Sequence, residues 1–295
     1  MIKQTLMFTL PASLSLKDNQ IVIQLKGTEQ VVTRPIEDIG VVVVENQQVN
    51  MTIPLLNALV ENNVSVVFCD KRQMPKSMLM SLDGNTTLQE SYRYQIDASQ
   101  PTKKQLWKQI IECKIRNQAA LLRKLDKDAD VLKPFYSNVK SGDSDNREGL
   151  ASRIYWPMLM GSGFRREREG PLPNHMLNYG YSILRAATAR ALIGSGLYPA
   201  FGLFHCNRYN AFPLADDVME PYRPFVDEIV YRLYFDGAST ELDKQSKGEL
   251  LRVLFADVKM DKLTRPLEIA LSMTTASLLK VLKGEQDRII LPELA

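Results

Sequence analysis

The segment that most constrains this chain runs from residue 196 to 224, GLYPAFGLFHCNRYNAFPLADDVMEPYRP. It contains His205, one of only two histidines, and an acidic group that begins at Asp216. Glycine and proline interrupt helical continuity on both sides of the histidine. We therefore expect a constrained turn at the imidazole and then a helix that begins near Asp216 and runs to Tyr234, with acidic residues in its first turns. Pro221 and Pro224 are expected either to kink this helix or to delay its start. Such a layout can aim an imidazole and a carboxylate at one point.

The acidic group comprises Asp216, Asp217 and Glu220. With His205 it offers the three oxygen or imidazole ligands that let a divalent ion keep open positions for water and substrate. One imidazole among oxygen ligands favours Mg²⁺ or Mn²⁺, and the lack of a thiolate set or a second nearby histidine disfavours zinc. The competing interpretation is structural, a buried histidine hydrogen-bonded to Asp217. The pattern alone leaves both interpretations open.

The composition says more about the cellular location of the protein than about whether it binds nucleic acid. A formal net charge of +3 neither demands nor excludes nucleic acid, because a local basic surface can exist within a near-neutral total. The cysteines at 69, 113 and 206 are odd in number and form no CxxC pair, which is typical of reduced thiols, and Cys206 is expected to be buried. The chain lacks a signal-peptide pattern and any apolar run near the roughly 20 residues of a membrane span. We expect a soluble cytoplasmic protein.

Residues 1–75 have the pattern of a β-rich domain, because apolar and polar residues alternate and β-branched residues cluster. The expected elements, in chain order, are a hairpin turning at Asp18-Asn19, a buried strand at Val41–Val44, a helix over 53–60 capped by Thr52, and a strand over 64–68. Residues 76–100 carry turn signals, among them Asp83-Gly84-Asn85, and are predicted to be a linker.

Residues 101–295 have a mostly helical pattern. The expected helices begin at Thr102, follow the polar loop 141–146, span Asn174–Ile193 with Asn174 as N-cap, and recur within 246–283. The predicted fold class is therefore α+β, a small β-rich domain followed by a larger all-helical domain.

Two basic features could face nucleic acid. The first lies on the helix that begins at Thr102, on the face opposite its apolar stripe. It consists of Lys103, Lys104, Lys108, Lys114, Arg116, Arg123 and Lys124. A solvated face explains it better than a phosphate-facing surface. The loop after Gly161 carries Arg165, Arg166 and Arg168 without the spacing of a P-loop. A mobile clamp on DNA phosphates and a merely solvated loop both fit it.

Four motifs occur in a fixed order along the chain. They are REGLASRIYW, which Glu148 leads, NHMLNYGYSILRA from Asn174, GLYPAFGLFH ending at His205, and DDVMEPYRPFVD ending at Asp227. Together they resemble the CRISPR-associated adaptation integrases, the universal Cas-one family. RPIEDIGVVVVE and NVSVVFCD resemble the β-domain of that family, so the resemblance covers nearly the whole chain. The amino-acid sequences of these motifs are most similar to those of family members from type II systems.

The resemblance implies a β-sandwich-like N-terminal domain and a helical catalytic domain, assembled as a homodimer. The metal triad of the family falls on Glu148, His205 and Glu220, with Mg²⁺ or Mn²⁺ as cofactor. From its own segment alone, a glutamate favoured by the helix dipole is a better explanation of Glu148 than a functional role, which stays the minority interpretation. Asp217 matches an acidic position that assists the triad, and Arg223 matches the E-x-x-R of the family and is expected to orient a carboxylate or a phosphate.

The implied function is integration during CRISPR adaptation. Short foreign DNA segments are inserted into the CRISPR array at the leader–repeat when a DNA 3′-hydroxyl attacks a phosphodiester. The implied partners are DNA, the small dimeric Cas-two protein and, in type II systems, further adaptation and effector proteins, with no membrane. Arg165, Arg166 and Arg168 are predicted to contact the DNA backbone. Two alternatives are a stand-alone metal-dependent nuclease and a non-catalytic DNA-binding scaffold of the same fold.

Overall fold

The computed structural model describes residues 4–81, 87–235 and 241–295. The chain divides into two compact units, Met1–Asp83 and Gly84–Ala295. The turn predicted at Asp83-Gly84-Asn85 lies outside the described residues.

Over residues 4–81, the N-terminal unit contains two four-stranded sheets and one α-helix, α1 (Ile53–Glu61). Its strands are β1 (Gln4–Phe8), β2 (Ala12–Lys17), β3 (Gln20–Leu25), β4 (Val31–Pro35), β5 (Ile39–Val44), β6 (Asn50–Met51), β7 (Ser65–Cys69) and β8 (Pro75–Leu79), with a 3₁₀ turn at Ile36–Asp38. One sheet has the order β1-β5-β7-β8, in which only β8 is antiparallel to its neighbour, and the other has the order β4-β3-β2-β6.

The β-rich prediction for this unit is confirmed. All six residues of β5 are buried, as the continuous β-branched run requires. The β2–β3 hairpin turns at Asp18 and Asn19, which both have positive φ, the geometry that matches the twist of paired strands. Both sheets and α1 contribute to one hydrophobic core, through residues such as Leu14, Val42 and Leu55. That shared core is what a β-sandwich-like domain requires.

The second unit is mainly helical. Its helices are α2 (Leu88–Asp97), α3 (Gln100–Lys124), α4 (Lys133–Tyr136), α5 (Arg147–Met160), α6 (Asn174–Gly194), α7 (Pro213–Met219), α8 (Arg223–Phe235), α9 (Lys244–Leu251) and α10 (Leu267–Leu282), with 3₁₀ turns at Asp130–Leu132, Ser141–Asp143, Glu220–Tyr222 and Arg252–Phe255. The long helix α3 packs against α5 and the 220–222 turn, and α6 packs against α7, α8 and α10. No helix in the described ranges is long and apolar enough to cross a membrane.

The structure corrects three predictions about this part of the chain. The second unit is not all-helical, because β9 (Asp257–Met260) and β10 (Leu263–Pro266) form an antiparallel pair, in which the residues of β9 are alternately exposed and buried. The stretch 76–100 is not structureless, since it holds most of β8 and all of α2. The helix expected from near Asp216 begins earlier, at Pro213; it is divided into α7 and α8 at Pro221, which lacks the N–H that would continue the ladder, in agreement with the predicted kink.

Candidate functional site

Glu148 is placed by a double cap on the first turn of α5. The side chain of Asn146 accepts a hydrogen bond from the backbone N–H of Gly149 at 3.1 Å. The two carboxylate oxygens of Asp143 accept from the N–H groups of Arg147 and Glu148 at 2.7 and 3.1 Å. Four orphan donors normally open a helix, and capping them fixes where its first side chains point.

Lys114 of α3 lies between two of the predicted metal ligands. Its Nζ is 2.5 Å from Oε1 of Glu148 and 2.6 Å from Oε2 of Glu220. The sequence pattern favoured a solvated basic face for Lys114. The structure contradicts this prediction, because the residue is only 7% exposed. A buried ammonium is stable only beside counter-charges, and these two carboxylates supply them.

Glu220 opens the 3₁₀ turn between α7 and α8, and its two oxygens have different partners. Oε1 accepts a hydrogen bond from Nε of Arg223 at 2.9 Å. Oε2 is buried and is in charge contact with Lys114, but among the described residues no donor makes a hydrogen bond of good geometry to it. The Arg223 guanidinium also lies 4.5 Å from the centre of the Tyr181 ring. The predicted orienting role of Arg223 towards a carboxylate therefore has a matching contact.

His205 is held by Asp217, which is fully buried. Its Nδ1 lies 2.6 Å from Oδ1 of Asp217, the contact that the structural interpretation expected. The same carboxylate accepts backbone N–H bonds from Leu203, Phe204 and His205 at 2.6 to 3.2 Å. A Cβ on Gly202 would stand 2.4 Å from the carbonyl oxygen of His205, so this turn closes only around a glycine. With Nδ1 engaged, Nε2 is the ring nitrogen left for a ligand.

The charges of these groups are coupled. Lys114 lowers the pKa of Glu148 against the effect of burial. Burial alone would raise the pKa of Glu220, but Arg223 and Lys114 outweigh it and lower the value. The hydrogen bond with Asp217 raises the pKa of His205, an effect that desolvation opposes. Both carboxylates are therefore held ionised at neutral pH, next to an imidazole that has a carboxylate behind it.

Asp216, which the sequence grouped with the other acids, is used elsewhere. Nε of Arg185 donates to its Oδ1 at 2.6 Å, and NH2 of Arg185 donates to Oδ2. The side chain of Asn210 donates to the same carboxylate at 2.7 Å. Its role in the structure is to tie α7 to α6. Cys206, expected to be buried, is exposed.

The arginine loop is tied to the start of α6. Asn174 is the first residue of that helix rather than its N-cap, and Pro173 takes the cap position. The Asn174 side chain accepts from Arg166 and from the N–H of Glu167, and donates to the carbonyl oxygen of Arg165, all at 2.9 to 3.0 Å. Arg166 also donates to Asn178 at 2.7 Å. Arg165 and Arg168 are exposed, whereas Arg166 is partly committed to these internal bonds.

The donor set fits a hard divalent ion. Glu148 and Glu220 converge on one cationic group, and the buried Oε2 of Glu220 has no donor of good hydrogen-bond geometry in the part of the chain that the structure describes. A histidine backed by a carboxylate is the usual arrangement of an imidazole ligand. Within residues 4–81, 87–235 and 241–295, however, no three ligand side chains already stand as a metal cluster. In the structure, the Lys114 ammonium takes the position between the two carboxylates.

The sequence prediction missed Lys114, although a signal for it exists. Lys114 follows Trp107 and Ile111 at helical spacing and so falls on the buried stripe of α3. A lysine within an apolar stripe demands a buried counter-charge. The sequence does not say which acid supplies it, because Glu148 and Glu220 come from distant turns.

Comparison with known proteins gives consistent matches. The model of the family described as CRISPR associated protein Cas1 matches residues 6–268. The chain is 38% identical over 252 residues to the CRISPR-associated endonuclease Cas1 of Neisseria meningitidis serogroup C (strain 8013), across 84% of this chain and 82% of that protein.

Two solved structures share the fold. A casposase bound to integration product is similar with a TM-score of 0.81 at 20% identity, covering 98% of this chain and 92% of that one. A chain of a Cas6-RT-Cas1–Cas2 complex is similar with a TM-score of 0.74 at 19% identity, covering 100% of this chain and 37% of that one. At these identities the likeness is one of fold.

Proposed function

This chain belongs to the Cas1 family of CRISPR-associated proteins, and on that basis we propose that it is a metal-dependent DNA integrase of CRISPR adaptation. Its reaction is the insertion of short foreign DNA segments at the leader–repeat of the CRISPR array. The observation that carries the proposal is the convergence of Glu148 and Glu220 on one cation position, together with His205 held by Asp217.

The reaction conserves the number of phosphodiester bonds. The 3′-oxygen of the incoming DNA forms a new bond to a phosphorus of the repeat, and the bond from that phosphorus to the repeat's own 3′-oxygen breaks. The proton of the attacking hydroxyl ends on the leaving oxygen, so no outside energy source is needed. With water in place of the hydroxyl, the same site is an endonuclease.

Each side chain has a defined task in this proposal. Glu148 and Glu220 offer oxygens, and His205 offers Nε2, to Mg²⁺ or Mn²⁺. Bound there, the ion supplies Lewis-acid stabilisation of charge on the phosphoryl oxygens and the leaving group. Arg223 fixes Oε1 of Glu220, and Asp217 fixes the imidazole. Nζ of Lys114 keeps both carboxylates ionised and close together, and a metal ion held by them would compete with this ammonium for the same oxygens.

The proposed partners follow from the family and the likenesses above. They are the spacer-precursor duplex, the leader–repeat DNA, a second copy of this chain and a Cas2 protein. The structural likeness to a chain in a Cas1–Cas2 complex supports the last of these. The Neisseria relative supports a type II system, where further adaptation and effector proteins take part. Arg165, Arg166 and Arg168 are proposed to contact DNA phosphates, and the cytoplasm is the proposed location.

The test is a joining assay with the cognate Cas2 partner, Mn²⁺ or Mg²⁺, a labelled short duplex and a supercoiled leader–repeat plasmid. Wild type is expected to join label to the plasmid, and Glu148→Gln, His205→Gln and Glu220→Gln each to lose joining. Glu249→Gln is the matched control, because Glu249 is a half-exposed acid on α9 whose carboxylate pairs with Arg252. It should join DNA as wild type does.

Product analysis separates the alternatives. Branched joined strands from wild type support integration, whereas shortened strands alone indicate a stand-alone nuclease. DNA binding without either product indicates the scaffold. Joining that survives all three triad substitutions contradicts the proposed site.

A further inference from the structure

The turn that carries His205 exposes an unusual group of aromatic rings. The exposed fractions are 45% for Tyr198, 40% for Phe201, 51% for Phe204 and 80% for Tyr209. Single exposed apolar residues are ordinary, but a group of large rings beside a candidate reaction centre marks a binding surface.

Phe204 has one covered face and one open face. Its ring is stacked on the buried indole of Trp107, with centroids 4.4 Å apart and planes 2° from parallel. Both rings stand edge-on to the His205 imidazole, at 5.6 Å from Trp107 and 5.8 Å from Phe204, with interplanar angles of 88° and 87°. The half-exposed Phe204 therefore presents a flat π surface directly next to the proposed metal ligand.

The aromatic rings are set in place without a ligand. The backbone N–H of Phe204 donates to Asp217 at 3.0 Å, which fixes the ring's attachment point. Gln95 of α2 donates to the carbonyl oxygens of Tyr198 and Phe201 at 2.8 and 3.1 Å and accepts from the N–H of Tyr198 at 2.9 Å. A surface held this firmly loses little entropy when it binds a rigid planar group.

The chemistry of the surface favours a nucleobase over a protein side chain. A base has a π face of the required shape, and stacking on aromatic residues is the common way to hold unpaired bases. The nearby Arg208 guanidinium lies over the Tyr209 ring at 4.6 Å and offers positive charge for a backbone phosphate. A protein partner seated on Phe204 would cover His205, which must stay open to the reacting DNA.

We propose that the open face of Phe204, backed by Trp107, stacks an unpaired base of the DNA substrate beside the phosphate that reacts at His205. This inference rests on the proposed function, since it assumes that DNA reaches this site. It assigns to the turn a binding role that is separate from metal ligation, namely positioning a frayed or overhanging nucleotide.

The test measures binding without chemistry, in EDTA. A labelled duplex with unpaired 3′ nucleotides, one of them 2-aminopurine, is titrated with wild type, Phe204→Leu and Phe204→Trp. Leucine keeps apolar bulk and removes the π face, and tryptophan restores one. Phe204→Leu should weaken binding of the overhanging duplex by about 5- to 150-fold, and Phe204→Trp should recover it. The quenching of 2-aminopurine by wild type should be lost with leucine and return with tryptophan.

Controls make the result specific. A blunt duplex should bind wild type and Phe204→Leu alike, and Phe235→Leu, which alters an exposed ring on α8, should behave as wild type. Equal affinity and equal quenching for Phe204→Leu and wild type would overturn the inference, as would an equal loss for blunt and overhanging DNA. Wild type that stacks the base but never joins DNA would refute the proposed function and leave the stacking site intact.

Discussion

Lys114→Met tests the charge balance of the site most sharply. Methionine keeps much of the side-chain volume but removes the ammonium from between Glu148 and Glu220, where Nζ lies 2.5 and 2.6 Å from the two carboxylates. Removing one partner of a buried ion pair typically costs about 3–5 kcal/mol, because it leaves an uncompensated buried charge. In EDTA the variant should therefore unfold with a free energy about 3–5 kcal/mol below that of wild type.

Divalent metal should reverse much of that loss. With the ammonium gone, the two carboxylates have no internal cation to release before they bind an ion. At a free Mn²⁺ concentration of about 100 times its dissociation constant, binding adds about 2.7 kcal/mol to the stability. Mn²⁺ should thus stabilise Lys114→Met more than it stabilises wild type at the same concentration.

Urea unfolding in EDTA and in Mn²⁺ measures both effects. Lys124→Met is the matched control, because Lys124 pairs with Glu228 at 3.1 Å on the surface and should cost under about 1 kcal/mol. If Lys114→Met were as stable as Lys124→Met in EDTA, the proposed charge balance would be wrong. If Mn²⁺ stabilised wild type as much as the variant, competition between Lys114 and metal would be refuted.

Three further predictions concern the frame around the site. Burial raises the pKa of Asp227 from 3.8 to about 6, so the folded state holds its proton more tightly than the unfolded state does. This group should therefore lower the free energy of unfolding as pH rises from about 4 to 6, by up to about 3 kcal/mol, and urea titrations should find that slope missing in Asp227→Asn. Gly202→Ala puts a Cβ 2.4 Å from the carbonyl oxygen of His205 and should lower the free energy of unfolding, measured by thermal unfolding, by about 1–3 kcal/mol. Gly194→Ala should not destabilise the protein, because a Cβ at that position meets nothing within 4 Å. Equal melting temperatures of the two variants would contradict the close approach at Gly202. Asn174→Ala removes the hydrogen bonds that hold the arginine loop, so hydrogen exchange should accelerate at the amide of Glu167. Unchanged exchange at this amide would show that the loop is held in another way.

The parts of the fold that could be predicted from sequence are those with local signals. The run Val41–Val44 predicts a buried strand, and Asp18-Asn19 predicts a hairpin turn. Both predictions depend only on neighbouring residues in the sequence. The β9–β10 pair was missed because its two strands of four residues lie between helices, and only β9 has an alternating pattern, which is too brief to override a helical expectation. The helix α2 was missed because turn signals flank it closely on both sides.

The residues of the site also differ in whether a local sequence signal identifies them. His205 and Glu220 stand out locally, because one rare residue type and an acidic cluster share one constrained turn. Glu148 was found through the resemblance, since a first-turn glutamate has an ordinary structural explanation. Lys114 escaped because burial of a charge is decided by tertiary partners, which in this case come from two other elements.

The most direct test of the central proposal is pulsed EPR of Mn²⁺ bound to untagged protein. The chain has only two histidines, and His175 is exposed on the first turn of α6, so it serves as an internal control. We predict one bound Mn²⁺ with a directly coordinated imidazole nitrogen, lost in His205→Gln and kept in His175→Gln. Mn²⁺ bound without nitrogen coupling, or with coupling that persists in His205→Gln, would contradict it.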